Sequence, residues 1–203
     1  MKILVMMAEP VMGSYLCSEF SKDSKDEIEF FHLETSNNFD YNLDGLNFDL
    51  YDQVYLFGNA DYHNHSRLGL FSQLISLGVR PNSYISNKAS VSDLNSIGLS
   101  TVIYPGACID AEVKIGFNAL IMPNAFIGIG TKVAKNVYIG TNAVLGKRCV
   151  IGNNVFIDDG VRLSDNVKVG SNSIIKDCAH IKNDIPDGTI IDSSIGDYVR
   201  IFS

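Results

Sequence analysis

Three observations predict a parallel β-helix preceded by a small α/β unit with a short parallel sheet. Every sixth residue from Ile85 to Ile181 is a branched aliphatic, running through Ile103, Ile121, Ile139 and Ile157 without exception or insertion. With 46% of the chain hydrophobic, seventeen such positions would share one frame by chance roughly twice in a million. Four residues after each aliphatic sits a small or β-branched side chain, as at Ala107, Ala119, Ala125 and Ala143, with Asn95 the one misfit. One residue earlier, Gly or Asn recurs, at Gly106, Asn118, Asn124, Gly130, Asn136 and Asn142 and again from Asn154 to Asn172. Residues that tolerate positive φ are favoured at tight corners. A period of six therefore reads as short strand, corner, short strand, whereas a β-sandwich would show period two and irregular turns.

Three hexads would close one triangular turn, with the aliphatic pointing inward and the small residue near the corner. Successive turns would stack at about 4.8 Å through backbone hydrogen bonds. We place the prism at residues 81–185 and a C-terminal tail at 186–203.

The first 80 residues read differently. Lys2 to Met7, Glu27 to His32 and Gln53 to Gly58 are apolar enough for strands. Gly13 to Ser24 is a weak helix candidate between the first two. After the third, Leu68, Phe71, Leu74, Ile75 and Leu77 give Ser66 to Leu77 an apolar face, and Gly78 stops the helix. Strands alternating with helices predict a small parallel unit whose loops at strand carboxyl ends bind ligands. The first such loop, Met7 to Gly13, has a single glycine with Pro10 and Glu9, unlike a phosphate cradle. The second, Gly58 to His65, is polar and carries Asn59, His63 and His65, as ligand contacts, metal ligands or a solvated loop.

Composition excludes several classes of function. A formal net charge of -7 without any basic block argues against nucleic acid. No apolar run approaches the roughly 18 residues of a membrane span, and Met1-Lys2-Ile3 leads into a strand, so a cytoplasmic protein is expected. Cys17, Cys108, Cys149 and Cys178 show no CxxC spacing, which predicts buried free thiols and no structural zinc.

The segments Ile103-Tyr104-Pro105-Gly106-Ala107-Cys108-Ile109, Cys149-Val150-Ile151-Gly152 and Asp165-Asn166-Val167-Lys168-Val169-Gly170, behind such an α/β unit, resemble the sialic acid O-acetyltransferase / nucleotide-aminosugar N-acetyltransferase family. The resemblance covers nearly the whole chain and implies a left-handed β-helix, a homotrimer, acetyl-CoA in the groove between prisms and no metal. It also implies a nucleotide-linked sugar held by the N-terminal unit, with Glu9, Gly13, Asn59 and Arg148 as substrate-binding candidates. The implied activity is N- or O-acetylation of a sugar for surface polysaccharide.

Several positions depart from the family pattern. Where the family carries a basic histidine this chain has Lys147, in Gly146-Lys147-Arg148-Cys149. A second family histidine, near the thioester, falls on Phe156, and a glycine-bearing corner on Lys176-Asp177, so these three are the cofactor-binding candidates. An exposed lysine, with a pKa of about 10.4, is a poor base at neutral pH. Lys147 and Arg148 suit a phosphate or carboxylate, and Asp158, Asp159, Asp165 and Asp177 are nearby carboxylates. Three functions follow: an acyl-CoA-dependent sugar acyltransferase, with Lys147 at the catalytic position; a non-catalytic trimeric scaffold or regulatory protein derived from one; or a different enzyme on the same fold, using a metal or a distinct substrate near His63 and His65. Outward Tyr104, Phe117, Met122, Phe126, Tyr138 and Phe156 would bury themselves against neighbouring prisms.

Overall fold

A computed structural model of the chain describes residues 1–7, 26–32, 41–57, 65–176, 178–192 and 196–200. It divides into two compact units, Met1–Ser83 and Tyr84–Ser203.

In the first unit, β1 (Lys2–Met7), β2 (Glu27–His32) and β3 (Gln53–Phe57) form a parallel sheet in the order β2-β1-β3. The central strand is buried on both faces, from Ile3 through Met6, as its unbroken apolar run demands. Helix α1 (His65–Ser76) contacts β3 through a face that includes the buried Leu70, Phe71 and Leu74. Its end is a Schellman motif: Val79 N–H donates to the Leu74 carbonyl and Gly78 N–H to Ile75, with Gly78 at φ 80°. The expected apolar face is corrected in part. Ile75 and Leu77 are exposed, while Arg67 is buried and its Nη2 donates to the Leu56 carbonyl at 3.2 Å. The helix candidate at Gly13 to Ser24 lies outside the described residues. No helix among the described residues is long and apolar enough to cross a membrane.

The second unit is a three-faced solenoid. Its first face stacks Tyr84–Ile85, Val102–Ile103, Leu120–Ile121, Tyr138–Ile139, Phe156–Ile157 and Ile174–Ile175 in parallel. The second face stacks Ser90–Val91, Cys108–Ile109, Phe126–Ile127, Val144–Leu145, Arg162–Leu163 and His180–Ile181. The third stacks Lys114–Ile115, Lys132–Val133, Val150–Ile151 and Lys168–Val169. Register partners such as Ile121 and Ile139 are 18 residues apart, three hexads to a coil. The hexad aliphatics from Ile103 to Ile175 are buried, with Ala107, Ala119, Ala125, Ala143, Cys149 and Val155 beside them in one continuous core.

All fourteen corner residues from Ser100 to Cys178, taken in steps of six, have positive φ between 51° and 74°. Most are Asn or Gly, but Ser100, Glu112, Arg148 and Cys178 adopt the same conformation at greater steric cost. Along the edge between third and first faces, the asparagines also bond to one another. Asn118 Nδ2 donates to Asn136 Oδ1 at 2.8 Å, Asn136 to Asn154 at 3.0 Å, and Asn154 to Asn172 at 2.9 Å.

The solenoid continues past the expected boundary at 185. Ile185 bridges Val169, and Thr189–Asp192 adds a parallel rung beside Ile174–Ile175, so this part of the expected tail belongs to the sheet. Gly196–Arg200 then runs antiparallel to that rung. The expectation for outward aromatics is also corrected. Tyr104, Met122 and Tyr138 are already buried within one chain, leaving Phe126 exposed and Phe117 and Phe156 half-buried.

Candidate functional site

The turn Gly146-Lys147-Arg148 joins the second face to the third. Its glycine is dictated by close approach: a Cβ there would lie 2.7 Å from the Asp165 nitrogen and 2.8 Å from the Ser164 carbonyl carbon, one coil on. Lys147 N–H donates to Asp165 Oδ1 at 2.8 Å, and the Lys147 carbonyl accepts from Asn166 N–H at 2.8 Å. Both the Lys147 and Arg148 side chains face solvent. Arg148 holds φ 53° and reaches down the edge, its Nε donating to Asn166 Oδ1 at 3.2 Å.

Cys149 is fully buried behind this turn, with its thiol donating to the Ser164 carbonyl at 3.2 Å. Burial pushes that thiol up from its ordinary pKa, so it stays protonated and unreactive. The expected burial of all thiols is corrected: Cys108 is half-buried, Cys178 is exposed, and Cys17 lies outside the described residues. Alkylation of the native chain at pH 8 should label Cys178 first, and Cys149 only as fast as the solenoid opens. Peptide mass mapping over time measures this order.

Below the turn, a residue of the next coil and one of the coil after it form a pair not anticipated from sequence. Ser164 Oγ and His180 Nε2 are 3.1 Å apart on an exposed edge. His180 begins the last rung of the second face, in register with Arg162. No histidine lies between Ser66 and Ala179, so His180 is the first to follow the α/β unit. The signal was the outward position just before hexad aliphatic Ile181, which one coil brings beneath Arg162 and beside Ser164.

The corner that follows is short. Leu145 to Ile151 and Leu163 to Val169 each take six residues, but Ile181 to Ile185 takes four, and Asp184 Oδ1 caps Lys168 N–H across a separation of 16. In the coil above, Lys147 N–H is capped by the carboxylate of Asp165. The Asp165 N–H occupies the equivalent place, with Asn166 and Arg148 sharing the same positive φ, yet no hydrogen bond ends on it among the described residues. The equivalent Ile129 N–H, one coil above Lys147, is likewise without a hydrogen bond among the described residues, so of these three amides only Lys147 N–H meets an acceptor side chain.

On the third face next to this corner is a shallow trough of about 420 Å³, lined by Val150, Gly152, Gly170 and Pro186 with Lys168 and the carboxylates Asp184 and Asp187. Lys114, Lys132 and Lys168 project outward on that face, the first two in register and the third two rungs on. No run of sequence shows this column, because its members are separated by whole coils. Of that column only Lys168 lines the trough itself, with Lys132 and Lys114 on the rungs above it, a row of cations suited to phosphate groups.

The other expected residues sit elsewhere. Phe156 lies on the first face, stacked on Tyr138 with ring centroids 4.5 Å apart. Lys176 Nζ pairs with Asp192 at 3.2 Å. Both are on the far side of the prism from Lys147, so one chain alone does not bring them together. Burial raises the Tyr138 hydroxyl pKa, and Asp159 and Asp158 push the same way. Asp159 Oδ1 accepts from Thr141 N–H at 2.6 Å and Asp158 Oδ1 from Asp159 N–H at 2.9 Å. Glu9, Gly13, Asn59, His63 and Asp177 lie outside the described residues, and His65 only opens α1. Among the described residues no group of three metal-binding side chains converges.

Residues 148–183 match the family described as bacterial transferase hexapeptide (six repeats). No curated protein matches the chain. Among solved structures it is similar to PerB from Caulobacter crescentus in complex with CoA and GDP-perosamine, with 17% identity, 92% of each chain covered and a TM-score of 0.73. It is also similar to the acetyltransferase domain of PglB from Neisseria gonorrhoeae, at 20% identity over 93% of this chain and 95% of that one, with a TM-score of 0.70. The same domain in complex with acetyl coenzyme A matches at 16% identity over 93% and 94%, with a TM-score of 0.55. Residues 148–183 thus match the model of that hexapeptide family, and the chain has the fold of these solved structures, a left-handed β-helix behind a small parallel sheet.

Proposed function

We propose that this protein is an acyl-CoA-dependent sugar acyltransferase, transferring an acetyl group to the amine or hydroxyl of a nucleotide-linked sugar and working as a homotrimer. The observation that carries this reading is the pairing of a small parallel α/β unit with a hexapeptide prism, matched over nine-tenths of the PerB and PglB acetyltransferase chains. Trimeric packing is supported by the separation of Lys147 from Phe156: prisms side by side would set one chain's edge against another's face.

An acyl-CoA supplies a thioester already activated toward amines and hydroxyls. The trough beside Val150 and Val169 holds the pantetheine arm, and the column of Lys114, Lys132 and Lys168 meets the phosphates. The open Asp165 N–H donates to the carbonyl oxygen as negative charge grows there. Lys147 and Arg148, both exposed at the same edge, hold the anionic part of the sugar nucleotide. The test is thiol release from acetyl-CoA in the presence of nucleotide-linked amino and hydroxy sugars. Acceptor-dependent release is expected; absence of both acetyl-CoA binding and transfer would defeat the proposal.

A second reading, the non-catalytic trimeric scaffold, is favoured by one observation. Positions expected to contact ligands are engaged elsewhere: Phe156 with Tyr138, and Lys176 with Asp192. It expects trimers that show no turnover with any acceptor and lose nothing on Lys147→Ala, so a turnover assay separates the two.

A further inference from the structure

We propose that His180 is the general base of this reaction, held in place by Ser164; the assignment rests on the acyltransferase reading above. Transfer breaks the acyl–sulfur bond and forms an acyl–nitrogen or acyl–oxygen bond. The acceptor must give up one proton, which returns to the departing CoA sulfur. A side chain with an available lone pair has to carry that proton between the two.

Of the side chains at this edge, few qualify. Lysine and arginine side chains offer donors only, which removes Lys147 and Arg148. Asp165 spends a carboxylate oxygen on the Lys147 N–H, while Asp158 and Asp159 stand at the different corner between the first and second faces and cap N–H groups there. Cys149 is buried. His180 is exposed, and its only hydrogen bond among the described residues joins Nε2 to Ser164 Oγ at 3.1 Å. A serine hydroxyl can accept from Nε2–H, which fixes the ring and leaves the Nδ1 lone pair free for a proton. His180 thus stands two coils below the Lys147 turn and one below Ser164, on the rung that leads into the shortened corner, where Asp184 lines the trough. Base and acyl channel meet there within one chain, with Ser164 as a positioning residue.

The experiment measures kcat, KM and acetyl-CoA affinity for the unmodified chain, His180→Asn, His180→Ala and Ser164→Ala. His180→Asn should lower kcat by about 10²- to 10⁴-fold while acetyl-CoA affinity stays within about twofold. Added imidazole should restore part of the rate to His180→Ala and none to His180→Asn, whose side chain still fills the site. Ser164→Ala should lower kcat about tenfold with KM unchanged, as expected when a base loses its orientation rather than its identity. Transfer that survives His180→Asn overturns this assignment alone, as does a loss in His180→Ala that imidazole does not relieve. Absence of acetyl-CoA binding and transfer in the unmodified chain removes the acyltransferase reading and this assignment together.

Discussion

Replacing Asn136 with alanine should lower unfolding free energy by about 2–5 kcal/mol, a large fraction of a typical domain's stability. Two separate penalties combine. Asn136 sits at φ 57°, where an L-residue with a non-polar Cβ costs about 1–2 kcal/mol over asparagine or glycine. Its amide also links the ladder, accepting from Asn118 and donating to Asn154. Asn118 is fully buried, so the lost acceptor strands a donor away from water, at about 1–3 kcal/mol. Asn136→Gly removes the second penalty's remedy but not the first's, and should therefore recover about 1–2 kcal/mol relative to alanine. Urea unfolding at fixed protein concentration measures all three chains, the fixed concentration mattering if subunits associate. Equal losses for alanine and glycine would mean that the corner's backbone conformation carries no cost.

The same corner shows why so much of the fold was legible. Every inward aliphatic of the solenoid recurs six residues on, and nearly every corner from Gly106 to Asn172 is marked by Gly or Asn, so local spacing alone specifies strand, corner and core. Arg148 and Cys178 were not recognisable as positive-φ residues, because neither favours that conformation; their neighbours above and below impose it. The site was much less legible. Ser164 and His180 meet across 16 residues, Lys147 and Asp165 across 18, and the lysine column spans several coils. Such contacts depend on the exact length of each coil. The loss of two residues between Ile181 and Ile185 breaks the hexad, so the spacing that revealed the prism could not show where its edge opens. Lys147 was found because it stands at a position with a chemical expectation, whereas His180 stands two coils away from it.

Gly146→Ala should destabilise the chain by about 3 kcal/mol and depress acyl transfer by about 100-fold or more. The added carbon would meet the Asp165 nitrogen at 2.7 Å and the Ser164 carbonyl carbon at 2.8 Å, both main-chain atoms of the next coil. Neither can swing aside as a flexible side chain would. Relief requires the two coils to separate at this edge, which lengthens the Lys147 N–H contact to Asp165 and shifts Ser164 against His180. Lys147→Ala, at the neighbouring exposed position, should change stability by less than about 0.5 kcal/mol and serves as the control. Urea unfolding and acetyl-CoA turnover on the same preparations make the comparison. If Gly146→Ala keeps full stability, the coils at this edge are not held at the spacing the corner requires. Stability and transfer should fall together here because one main-chain contact sets both the stacking of the coils and the place of the serine. In His180→Asn they should part, since that exposed ring bears on the proton and hardly at all on the stack.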